Sequence, residues 1–177
     1  MNMIVIKLLL FLIPFSFTGD NSLKVKSSSV TFKIKNAGIT VDGFFTGMET
    51  DIKFNPLKPE ECNIKASVSS KSVNTGNTMR DEHLRKPEYF DAAAYPRIIL
   101  QSTKIEKTGP ISFTGTFKLT IKNVTKEIKI PFMFLKTADK TEIKGSFKIN
   151  RINYTVGEDS FTMSDDVTIN LLVNVTE

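Results

Sequence analysis

Ile111-Ser-Phe113-Thr-Gly115-Thr-Phe117-Lys-Leu119-Thr-Ile121 and Ile128-Lys-Ile130-Pro131-Phe132-Met-Phe134 alternate apolar and polar residues on either side of a turn that begins at Lys122-Asn123. A period of two sends successive side chains to opposite faces of a strand. One face is apolar and the other wet, which is the behaviour of an antiparallel sheet. Pro131 has no N–H for a ladder, so it predicts a bulge or an edge position.

The same alternation spreads outward from this pair. It recurs in Val30–Lys35, Ile39–Phe45, Met48–Phe54, Cys62–Ser69, the stretch after Pro96, Ile143–Ile149 and Asp166–Val175. Asn36-Ala-Gly38, Thr108-Gly-Pro110 and Ala138-Asp139 read as turns, and Thr46-Gly47 as a tight hairpin turn between 39–45 and 48–54. About eight strands result. Strands of this length and number curl and close, which removes exposed edges. The expected architecture is an all-β, extended antiparallel barrel with one helical insert.

The inward positions are Phe32, Ile34, Val41, Phe45, Ile52, Phe54, Val68, Ile98, Leu100, Phe113, Phe117, Phe132, Phe134 and Phe147, joined by Phe90 from the insert. None is ionisable. A barrel of about eight strands either fills with its own side chains or holds one small ligand. Periodicity leaves both open: a packed core, as in an interaction module without ligand, or a tunnel lined by these residues.

The insert is Ser72–Pro96, the one long stretch that does not alternate. Asn77 or Thr78 suits an N-cap, Asp81 and Glu82 fall in the first turn, and Pro87 stops the helix. Met79, His83 and Leu84 are expected on one face. Arg80, Asp81, His83 and Leu84 form its structural centre, with Arg80, Asp81, Glu82 and Arg85 fastening it to the barrel rim through ion pairs and bonds to loop backbone.

Residues 1–19 read as a secretory leader: Lys7, an apolar run Leu8–Phe17 broken by Pro14, and small Ser16 and Thr18. Residues 20–177 then form a single domain, exported to a periplasmic or extracellular space. The lone Cys62 allows no internal disulfide, so an apolar core must hold the fold. The net charge of +5 comes from lysines scattered singly along strands, without an Arg cluster or stacked aromatics. That excludes nucleic acid as the expected partner and leaves open a weak contact with a membrane surface. A homodimer is also open.

Catalytic motifs are missing: there is no GxSxG, HExxH, CxxC, P-loop or dinucleotide fingerprint. One histidine makes a transition-metal site unexpected, and no cofactor is implied. The enzymatic alternative is His83 acting as a base with Asp81 or Glu82.

Ser72-Val-Asn-Thr-Gly-Asn, then Arg80-Asp81-Glu82-His83-Leu84, Tyr89-Phe90-Asp91 and Tyr95-Pro96, resembles the signature of the YceI-like family of polyisoprenoid-binding proteins. Gly115–Lys126, Ile149-Asn-Arg151-Ile152-Asn153-Tyr154 and Asp165-Asp166-Val167 are similar to further segments of that family, in its order. The resemblance implies a lipocalin-like barrel, exported, holding an isoprenoid or fatty-acyl chain without catalysis. It favours the tunnel over the packed core.

Overall fold

The structure is a computed structural model that describes residues 22–176; the leader expected at 1–19 lies outside them. Nine strands follow: β1 Lys24–Asn36, β2 Ile39–Phe45, β3 Glu49–Lys53, β4 Asn63–Ser69, β5 Arg97–Lys107, β6 Ser112–Ile121, β7 Val124–Lys136, β8 Thr141–Asn150 and β9 Met163–Thr176. One helix, α1 (Thr78–Leu84), stands between β4 and β5. The strands make one antiparallel sheet in the order β2-β1-β9-β8-β7-β6-β5-β4-β3. This is the all-β architecture expected, with nine strands in place of about eight. Its curl is a half-barrel whose long sides are not joined by a ladder.

The hairpin expected at Thr46-Gly47 does not form. β2 and β3 lie at opposite edges of the sheet. The turn signal is local, but the competing partners are distant. Phe44 exchanges both backbone bonds with Asn74 of the insert, at 2.9 and 3.0 Å, and the Thr46 N–H donates to Ser72 Oγ at 3.2 Å. The segment Thr46–Met48 therefore carries the chain from one edge to the other. At the opposite end the Leu23 N–H donates to the Ile52 carbonyl at 2.8 Å. The gap between edges is thus bridged by the insert at one end and by the start of β1 at the other.

A second opening sits beside Pro131. β7 pairs β8 only over Phe132–Lys136, while its register with β6 runs unbroken through Thr114 and Pro131. The missing N–H falls where β7 leaves β8, so Pro131 occupies a local edge inside the sheet. The divergence makes room for a 3-10 turn at Ile152–Tyr154, whose Tyr154 ring packs with Leu119, Ile121 and Ile149.

Candidate ligand cavity

The two ends of the half-barrel are filled differently. At the end away from the insert, Phe54 meets Phe113, Phe132 and Phe134 with ring centroids 5.1, 5.9 and 4.8 Å apart. Phe113 and Phe132 stack at 5.5 Å, and Ile52, Ile105, Phe117, Ile130, Ile143, Val173 and Val175 join the cluster. The rings interlock across the axis, and a wide, more open hollow of about 620 Å³ lies beside Phe113 and Phe132 where β7 leaves β8.

Toward the insert the same strands enclose a cavity of about 180 Å³. Its walls are Val30, Phe32 and Ile34 from β1, Val41 and Phe45 from β2, Val68 from β4, Ile98 and Leu100 from β5, Leu119 and Ile121 from β6, Phe147 and Ile149 from β8, and Val167, Ile169 and Leu171 from β9. Leu84, Tyr89 and Phe90 of the insert, with Val156 and Met163, complete it. The surface is almost wholly apolar. An apolar cavity of about 150 Å³ stays dry and accepts a benzene ring, so this space suits an apolar guest.

Of the fifteen tunnel positions named from the sequence, Phe32, Ile34, Val41, Phe45, Val68, Phe90, Ile98, Leu100 and Phe147 line this cavity. Ile52, Phe54, Phe113, Phe117, Phe132 and Phe134 belong to the interlocked core instead. Sequence reasoning passed over Leu119, Ile121, Ile149, Val167, Ile169 and Leu171, although they share the period-two pattern.

The insert forms one wall. Asn77 caps α1, its side-chain oxygen accepting from the Arg80 N–H at 3.0 Å. Buried Asp81 accepts from the Thr75 N–H (2.9 Å) and from Thr75 Oγ1 (2.6 Å) through one carboxylate oxygen. Arg85 donates from Nε to the Lys71 carbonyl and from Nη2 to that of Val73. These bonds all run within residues 71–85, so they brace the insert on itself and on the turn just after β4; the ion pairs expected to fasten it to the barrel rim do not form among the described residues. The expected common face of Met79, His83 and Leu84 also breaks up. Arg80 and Leu84, one turn apart, face the cavity, whereas Met79 is 81% exposed and His83 is exposed. His83 rests edge-on against Tyr89, ring centroids 5.1 Å apart, and Asp81 is turned to Thr75. The structure does not bring the residues of the enzymatic alternative into one cleft.

Across the cavity, buried Arg151 organises the segment from 152 to 165. Its guanidinium donates to the carbonyls of Ser164, Val156, Glu158 and Met163 and pairs with Asp165 at 3.1 Å. Gly157 then donates its N–H to the Glu88 carbonyl at 2.8 Å, and Ala37 donates to that of Thr162 at 2.7 Å. With the Phe44–Asn74 bridge these bonds close a ring of insert, loop and β1–β2 turn around the cavity's end. Burial pushes the Tyr154 phenol up, and its hydroxyl has no partner among the described residues. Cys62 is half-buried just before β4. Its thiol donates to the Asn55 carbonyl at 3.3 Å, and burial pushes it above the ordinary thiol range. Among the described residues no cluster of His, Cys, Asp and Glu is placed to hold a metal ion.

The model of the YceI-like domain matches residues 22–175. The chain belongs to the YceI-like family. Among curated relatives, a UPF0312 protein of Azotobacter vinelandii is 30% identical over 107 residues, 60% of this chain and 56% of that protein. The chain thus spans little more than half the length of that relative. A UPF0312 protein of Pectobacterium atrosepticum is 26% identical over 71% of this chain and 70% of its own length. Among solved structures, the Campylobacter jejuni YceI protein is 29% identical with a TM-score of 0.71, covering 77% of this chain and 85% of that one. Burkholderia cenocepacia BcnA shares the fold at 24% identity, TM-score 0.81, over 84% and 96% of the two chains. So does a polyisoprenoid binding domain from Saccharophagus degradans implicated in plant cell wall breakdown, at 14% identity and TM-score 0.69, over 87% and 96%.

Proposed function

We propose that this YceI-like barrel binds one long apolar lipid, of isoprenoid or fatty-acyl type, and serves outside the cytoplasm as carrier, scavenger or store without catalysing a reaction. The observation that carries this reading is the apolar cavity walled by seven strands and the insert, whose volume of about 180 Å³ takes a segment of such a chain. Burying a chain methylene in such a space gains roughly 0.8 kcal/mol, so an oily wall binds an alkyl or prenyl chain with few polar contacts. Selection then acts on length and width. The polyisoprenoid binding domain of the same fold supports the choice of chain. Export rests on the leader read in residues 1–19.

Delivery to or from a membrane accounts for the rim. Phe161 and Ile39 are 111% and 69% exposed beside the Ala37–Thr162 bond, and Met79 stands out from α1. Apolar side chains standing out around an oily cavity suit brief contact with a lipid surface.

Mass spectrometry of an organic extract of the purified protein, paired with displacement of a fluorescent fatty-acyl probe from delipidated protein, tests the reading. A co-purifying lipid and saturable displacement are expected. Empty extracts together with no uptake of prenyl or acyl probes would overturn it.

A further inference from the structure

We propose that the bound lipid carries an anionic head, a carboxylate or a phosphate, and that Arg80 receives it at the insert side of the cavity. This rests on the lipid-binding reading above and narrows it to a class of head group.

The residues that line the cavity include two arginines and no aspartate or glutamate. The two arginines are not equivalent. Arg151 is saturated: all three of its nitrogens bond the loop carbonyls and Asp165. Arg80 is not. Its Nε donates to Thr75 Oγ1 at 2.8 Å and its Nη2 to the Thr75 carbonyl at 2.9 Å. Among the described residues Nη1 has no acceptor, and no carboxylate stands within ion-pair distance of the guanidinium.

The neighbouring acid is diverted. Asp81 accepts both the N–H and the hydroxyl of Thr75, so Thr75 orients the Arg80 fork and holds away the carboxylate that would otherwise neutralise it. A guanidinium has five N–H donors in a planar fork. Thr75 takes one at Nε and one at Nη2. The Nη1–Nη2 edge keeps its donors, and that edge matches two oxygens of a carboxylate or phosphate. The side chain is half-buried against apolar walls, where a cation without a counter-ion has lost part of its water and gains most from an oxyanion. Leu84, one helical turn on, lines the same cavity, so a head at Arg80 continues into an apolar chain past Leu84.

The test uses the delipidated full chain and probes matched in chain but not in head: palmitic acid, cetyl phosphate and cetyl alcohol, with farnesyl phosphate and farnesol as the prenyl pair. Affinities come from titration calorimetry. An anionic head is expected to bind roughly tenfold or more tightly than the alcohol, the scale of one charge-assisted hydrogen bond. The order of palmitic acid and cetyl phosphate then separates a fatty acid from a phosphorylated lipid. Arg80→Gln should bring the ratio of anion to alcohol close to one while alcohol binding persists, which a merely structural role for Arg80 does not predict. Equal binding of acid, phosphate and alcohol by the unaltered protein overturns the inference even where Arg80→Gln does not fold. So does a preference that survives Arg80→Gln. Failure of every chain to bind, whatever its head, overturns the lipid-binding reading itself.

Discussion

The two halves of this barrel share strands, alternation and register, yet one is solid and the other hollow. In the solid half phenylalanines project from β3–β4 loop, β6 and β7 and meet at Phe54. In the hollow half Ile34, Val41, Val68, Ile98, Ile121, Ile149 and Val167 coat the wall, as Ile52, Ile105, Ile130, Ile143, Val173 and Val175 do in the solid half, so the difference lies in the rings. The β-branched side chains are short and stiff at χ1, so they coat a wall without crossing the axis. The rings of the hollow half form a chain, Phe32 to Phe45 and Phe45 to Phe90 at 5.6 Å each, in place of the three rings gathered on Phe54. Phe32 sits on Gly43, its cross-strand partner, so closely that a Cβ at Gly43 would come within 2.2 Å of the ring. The hollow is built by residue choice at a few inward positions, on a sheet that is otherwise uniform.

The largest effect should separate the halves directly. Phe113→Ala removes a ring that is 1% exposed in the interlocked core and should cost about 3–5 kcal/mol. Denaturant unfolding should return the same loss with lipid present or extracted. Ile34→Ala, on the cavity wall, should cost less and show a loss that changes with lipid occupancy. Equal, lipid-independent losses at both sites would mean that the hollow half behaves as ordinary core.

Next comes the anchor of the hollow half. Arg151→Met leaves the carbonyls of Val156 and Glu158 and the Asp165 carboxylate without their shared donor. A loss of about 2–3 kcal/mol is expected, since several partially buried acceptors go unmet. Hydrogen exchange should locate the loosening in residues 152–165 and spare the core around Phe54. Uniform loosening of both halves would show that the loop and the solid core unfold as one unit.

How much of this was legible in the sequence follows from the kind of information each feature uses. Period two is local, so strands, inward faces and the Asn77-capped helix could be read directly. The hairpin assigned to Thr46-Gly47 failed because Asn74, nearly thirty residues away, takes the bonds of Phe44. The six tunnel residues that lie in the core, from Ile52 to Phe134, have the same pattern as the nine on the cavity wall. Alternation says which side a residue faces and nothing about what stands opposite across the axis. The role of Arg151 has no local signal, because its five bonds all run to atoms that only the folded loop brings near.

A pair of glycines gives a finer comparison. A Cβ at Gly115 would lie 2.2 Å from the Phe117 ring, the same approach as Gly43 to Phe32. Phe117 is buried in the interlocked core and cannot retreat; Phe32 borders open space. Gly115→Ala should therefore cost about 1–3 kcal/mol through overpacking. Gly43→Ala should cost less, because the ring swings into the cavity. Its expected signature is reduced uptake of a fatty-acyl probe at little loss of stability. Were Gly43→Ala to bind the probe normally, the space beside Phe32 would not be where the chain lies.

The smallest effect concerns acid. Glu142, on the solid half, is buried beneath Lys144 and Lys140, each 3.0 Å from one of its oxygens. Those hydrogen bonds, Lys144 first, hold its carboxyl below the usual 4.5. A carboxyl whose folded value is lowered stabilises the fold fully above its unfolded value, and this contribution fades as pH falls through the folded one. Wild-type stability should thus acquire an extra downward slope below about pH 4.5, which Glu142→Gln flattens. Both lysines are largely exposed, so water screens the pair and the change stays small. Unfolding curves for the two proteins that fall in parallel on acidification would remove Glu142 as an acid-sensitive point of the solid half. The halves would then differ only in what fills them, with no difference in how their charges respond to pH.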